Sequence, residues 1–178
     1  MSRIATVVLA SLTLVASSAA AAADSGSITF NGQTYTLQSK NASPNEVLNE
    51  YIPTNQTLDA WTHLISVRWF PELNDRKAAV GTLIKTLLAQ YPDARYAAWE
   101  LAEAQSTGVD FVTAEGDLVE FNIFIYKPHP SGKGLLAHQV ALRAYGDDRL
   151  PFMQNLRTTR ADMLQKVVDF TFPEVIGE

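Results

Sequence analysis

The stretch 118–126 constrains this chain more than any other. Val119, Phe121, Ile123 and Ile125 take every second position, and Glu120, Asn122, Phe124 and Tyr126 fill the places between. Side chains of a strand point alternately to opposite faces, so a period of two reads as a β-strand; a helix would scatter the same apolar set around its axis. Residues 109–113 and the turn Glu115-Gly116-Asp117 come just before it, which makes the pair an antiparallel hairpin. After it, Pro128, Pro130, Gly132 and Gly134 punctuate a loop over 127–134. Residues 135–145 are compatible with helix or strand, and are read as a strand returning along 118–126.

The remaining elements join this sheet. Ile28-Thr29-Phe30, the turn Asn31-Gly32 and residues 33–38 form an N-terminal β-hairpin, because Asn-Gly suits a type I′ turn whose central residues both need φ > 0. Residues 47–52 read as a short strand or irregular edge ended by Pro53, and 58–61 as a turn of helix or a tight loop. Residues 63–70 form a strand rich in β-branched and aromatic side chains, stopped by Pro71. Val80, Leu83, Ile84, Leu87, Leu88 and Tyr91 recur at helical spacing, so 74–91 is an amphipathic helix, capped by Asn74 or Asp75 and ended by Pro92. Ala97, Ala98, Leu101 and Ala102 favour helix at 96–104, but the antiparallel run that follows needs a partner, so this segment is read as a strand. A second helix runs from Pro151 to about Val168, with Phe152, Leu156, Met163, Leu164, Val167 and Val168 on its apolar face, and the tail beyond Pro173 is expected to fray. The fold class is therefore α+β: an antiparallel sheet with an N-terminal β-hairpin and two amphipathic helices packed on it.

Residues 1–23 read as a cleavable signal peptide. Arg3 supplies a positive start, an apolar run extends from Ile4 to Val15, and Ala19 to Ala23 offer small-x-small cleavage sites, the best after Ala23. The run is too short to span a hydrocarbon core of about 30 Å. Cleavage leaves a single soluble α+β domain at 24–178, with no stable membrane anchor. The chain has no cysteine, which excludes disulfides, a thiol nucleophile, zinc–thiolate sites and lipidation. Export without disulfides favours a periplasmic or secreted destination. A formal net charge of −5 without a basic run argues against nucleic acid as a partner.

Two motifs carry a resemblance. Glu50-Tyr51-Ile52-Pro53 with Gln56-Thr57-Leu58-Asp59-Ala60-Trp61-Thr62, and Glu120-Phe121-Asn122 with Gly132-Lys133-Gly134 and Gln139, resemble small secreted bacterial proteins of unassigned function. The order of elements is similar to the Mog1/PsbP-like α/β/α sandwich. That resemblance implies a helix layer on each face of the sheet, and no catalytic residue.

Familiar chemistries find little support. Ser131-Gly132-Lys133-Gly134 lacks the Gly five residues ahead of the Gly-Lys pair and the Ser or Thr after it, so it is no phosphate loop. His63, His129 and His138 share no metal-ligand spacing, and neither a metal nor any other cofactor is expected. No Gly-x-Ser-x-Gly elbow occurs. With 19 acidic residues, a pair of carboxylates can be drawn from many positions, so such a pair carries little information.

The sequence therefore points first to an exported periplasmic, non-catalytic binding or accessory protein that recognises an envelope or secreted protein or another envelope component. Trp and Tyr suit recognition because they join apolar area to a polar handle. The expected surface is the 127–134 loop with Trp61, Phe124, Tyr126, His129, Lys133 and His138, of which Phe124 and Tyr126 are expected to be exposed. A second reading is a small periplasmic hydrolase or ligand-binding enzyme using His138, Glu120 and Asp110. A third is an immunity-type inhibitor that plugs a toxin's cleft with an acidic loop.

Overall fold

Asn31 and Gly32 both adopt positive φ, 48° and 79°, as a type I′ turn requires, and so close the hairpin of β1 (Ser27–Phe30) and β2 (Gln33–Ala42). From this hairpin the computed structural model, which describes residues 26–177, builds a single sheet. The expected signal peptide lies outside the described residues. The further strands are β3 (Val47–Pro53), β4 (His63–Phe70), β5 (Arg95–Leu101), β6 (Ser106–Glu115), β7 (Leu118–Pro128) and β8 (Leu135–Tyr145). Among the described residues they form an eight-stranded sheet, wholly antiparallel, in the order β1-β2-β3-β4-β8-β7-β6-β5. Of the two segments whose patterns allowed helix, 135–145 is strand β8, and 96–104 is strand β5 only as far as Leu101, with a turn from Ala102 to Gln105. Tertiary pairing outweighs the helix propensity of Ala97 and Ala98, because each lies opposite a residue of β6.

The chain gives each face of this sheet one helix. The first helix, α1 (Arg76–Gln90), starts at Asp75, whose carboxylate accepts from the backbone N–H of Lys77 and Ala78 at 2.9 and 3.0 Å. Its Ala79, Val80, Leu83 and Leu87 pack on Val109 and Phe111 of β6, Phe124 and Tyr126 of β7, and Leu135 and Ala137 of β8. The second helix, α2 (Arg149–Asp169), follows a 3-10 turn and buries Leu156 and Val167 against Phe121, Ile123 and Ile125 of β7 and Val140 and Leu142 of β8. Strand parity makes the two sets incompatible with one face: Phe124 and Tyr126 point one way along β7, Ile123 and Ile125 the other. We call the α1 side face A and the α2 side face B.

The tail beyond α2 corrects the expectation of fraying. Phe170 meets Phe30 edge-on, and Phe172 stacks on His138 with ring centroids 4.1 Å apart. Farther on, Ile176 donates its N–H to the Asn49 side-chain oxygen at 2.6 Å and accepts from the Asn49 amide nitrogen at 3.0 Å. The tail thus straps face B across β8 and β3. No helix among the described residues is long and apolar enough to cross a membrane.

Candidate functional site

Face A is apolar at both ends and polar between them. One end is the α1 cluster. At the other, Ile52, Leu64 and Ala141 carry the indole of Trp61, which the segment between β3 and β4 lays over the sheet. That segment is a tight loop, held by Thr57 and Ala60 and by Gln56, which accepts from the Thr62 N–H at 2.8 Å. In the band between the clusters the same strand parity presents Glu50 of β3, Ser66 and Arg68 of β4, Gln139 of β8, and Asn122 and Glu120 of β7. Glu50, Ser66 and Gln139 stand directly across from one another on neighbouring strands.

These groups form one hydrogen-bonded chain. The Ser66 hydroxyl donates to Gln139 Oε1 at 2.8 Å, Gln139 Nε2 donates to Asn122 Oδ1 at 2.8 Å, and Asn122 Nδ2 donates to Glu120 Oε1 at 2.7 Å. Glu120 Oε2 then accepts from Arg143 Nε, and the Arg143 guanidinium covers the Trp61 ring. At the near end, Arg68 Nη1 donates to Glu46 at 2.8 Å. Both arginines are almost wholly buried, so the band takes charge out of water at a cost of several kcal/mol per ion unless each is paired. Burial pushes the Tyr126 hydroxyl up to about 12, with Arg68 pulling it down and Glu46 pushing it up.

Within this band lies a cavity of about 160 Å³, lined by Glu50, Leu58, Trp61, Leu64, Arg68, Glu120 and Gln139. Two of its polar groups stand apart from the network. Arg68 Nε is buried without a hydrogen-bond partner, and half-buried Glu50 has no ion-pair or hydrogen-bond partner among the described residues. A buried donor left unmade costs about 1–3 kcal/mol, so this arrangement is expensive for stability alone.

The residues expected from sequence scatter around this site. Trp61 lines the cavity. Phe124 and Tyr126, expected at a recognition surface, are instead core residues, 5% and 7% exposed beneath α1. Each face of the sheet carries a helix, and these side chains fill the core under α1. His129 is buried in its loop, with Nδ1 and the Ser131 hydroxyl 2.7 Å apart and its ring beside Trp69. Lys133 is exposed, with Nζ 5.9 Å from the Trp69 ring. Gly134 closes this loop at φ 78°, where an added Cβ would collide with the Phe70 carbonyl oxygen.

His138, Glu120 and Asp110 do not converge. Glu120 belongs to face A, whereas His138 and Asp110 point to face B, where His138 lies under Phe172 and Asp110 is held by Arg160 through two bonds of 2.7 Å. Burial, with a smaller effect of Lys127, lowers the His138 imidazole to about 3, which makes it a poor proton carrier near neutral pH. Sequence reasoning did not mark Glu50, Ser66, Arg68 or Gln139 as site residues, although Glu50 and Gln139 belong to the motifs that carry the resemblance. A partial signal was available: Ser66 and Arg68 of β4, Glu120 and Asn122 of β7, and Gln139 and Arg143 of β8 recur at spacings of two or four in otherwise apolar strands.

The decisive comparison covers most of the chain: a family model matches residues 23–172. The chain belongs to an uncharacterised protein family. No curated protein matches it, and no solved structure does.

Proposed function

We propose that this chain is an exported, periplasmic binding protein that takes a small polar component of the cell envelope into the face-A cavity. The observation that carries the reading is Arg68. Its side chain is 5% exposed and lines the cavity, Glu46 takes only one of its guanidinium N–H groups, and the acid Glu50, which lines the same cavity, is unpaired among the described residues. A preformed concave site with a few polar groups against apolar walls is the usual form of a small-molecule pocket. Export rests on the composition of residues 1–23, and one helix on each face is what supports a Mog1/PsbP-like sandwich as the architecture.

The test is a titration of residues 24–178, followed through the Trp61 indole N–H by nuclear magnetic resonance. The panel consists of small amines, amino acids, carboxylic acids and monosaccharides. Saturable movement of that resonance with at least one class, lost in Arg68→Met, supports the reading. A Trp61 resonance unmoved by every class overturns it.

A further inference from the structure

We propose that the cavity selects a small primary ammonium compound that also carries a hydrogen-bond acceptor. This rests on the binding reading above and narrows it to a ligand class. Charge decides the sign. Of the three acids in the band, Glu46 is paired with Arg68 and Glu120 with Arg143, which leaves Glu50 as the acid in excess. A carboxylate without a cation beside a desolvated cavity attracts a positive group and repels an anion.

Arg68 decides the second group. A guanidinium has five N–H donors in a fixed fork; Glu46 takes one of them, on Nη1, and Nη2 makes no side-chain hydrogen bond among the described residues. An oxygen acceptor on the ligand meets the Nη donors that Glu46 leaves over, and an ammonium alone does not. Volume sets the size. A cavity of about 160 Å³ suits a handful of heavy atoms. Leu64 and Trp61 supply apolar wall for the connecting methylenes.

The aromatic chemistry sets the degree of substitution. A quaternary ammonium is recognised by a cage of open aromatic faces. Trp61 is the one aromatic lining this cavity, and Arg143 already lies over its ring at 3.7 Å from the centroid. A hydrogen-bonding –NH₃⁺ directed to Glu50 fits where a trimethylated head does not.

Ethanolamine and glycinamide are the probes, against ethylammonium, acetamide, acetate and choline as controls, all titrated into residues 24–178. Trp61 indole N–H shifts are the readout, assigned with Trp61→Phe. Both probes are expected to bind at least tenfold more tightly than any control. Glu50→Gln is expected to weaken them at least tenfold without lowering Tm, since Glu50 holds nothing in the fold. Controls that bind as well as the probes, or Glu50→Gln binding them unchanged, overturn the ligand class while leaving the cavity a binding site. Failure of the probes and of every class in the broader panel overturns both.

Discussion

The Arg143 guanidinium carbon lies 3.7 Å from the centroid of the Trp61 ring, and its Nε donates to Glu120 at 2.5 Å. One cation thus ties together two walls of the cavity, Trp61 and Glu120. The guanidinium offers an apolar plane to the indole and an N–H edge to the carboxylate, which a lysine ammonium cannot do together. Arg143→Met is expected to destabilise the protein by about 3–5 kcal/mol, because it leaves Glu120 buried and uncompensated. Glu120→Gln added to it is expected to recover part of that loss. Urea unfolding of the two single variants and the double variant measures this; a double variant showing the plain sum of the single losses contradicts the coupling.

Phe124 sits between Phe111 and Tyr126, with ring centroids 6.0 and 6.4 Å away, under the buried face of α1. Truncating a buried phenylalanine removes its transfer energy and leaves a cavity, so Phe124→Ala is expected to cost about 3–5 kcal/mol. Thermal and urea unfolding check this. A Tm unchanged within a degree or two would return Phe124 to the surface.

The periodicity of 118–126 was enough to name both sets of side chains on β7 correctly, and Asn31-Gly32 and Pro92 marked their turn and stop. Local chemistry acts at those places, so local sequence reveals it. The site was less legible because it is made by register. Ser66 and Gln139 are far apart in the chain and meet only because β8 inserts between β4 and β7, a pairing no local pattern specifies. The same non-local placement sent Phe124 inward. Alternation says that its face differs from that of Ile123, but not that α1 will cover it.

His138 is stacked on Phe172 and buried, and its imidazole is lowered to about 3, first by desolvation and then by Lys127. An unfolded chain protonates the same ring near pH 6.5, so between these values the unfolded state binds more protons. Its contribution to stability is therefore full above about pH 6.5 and declines as pH falls toward 3. His63, also lowered by burial, acts in the same direction. Tm is expected to fall between pH 6.5 and 5, above the ordinary carboxylate range, and His138→Gln is expected to flatten that slope. A slope identical in the variant would assign the acid sensitivity elsewhere.

Asn49 gives the tail its anchor. The side chain is fully buried on face B and meets the Ile176 backbone with both its oxygen and its nitrogen, much as a paired strand residue would. The tail also covers Phe30 and His138 through Phe170 and Phe172, so its release would expose aromatic surface on the sheet. Asn49→Ala removes both bonds and leaves the Ile176 backbone to water. The expected loss is about 1–3 kcal/mol, concentrated in the tail rather than in the global transition. Hydrogen exchange should show the Ile176 amide losing protection while β7 and β8 keep theirs. Carboxypeptidase should then trim the variant back toward Phe172 faster than the parent chain. Equal trimming of the two would mean that the aromatic contacts of Phe170 and Phe172 hold the strap without Asn49.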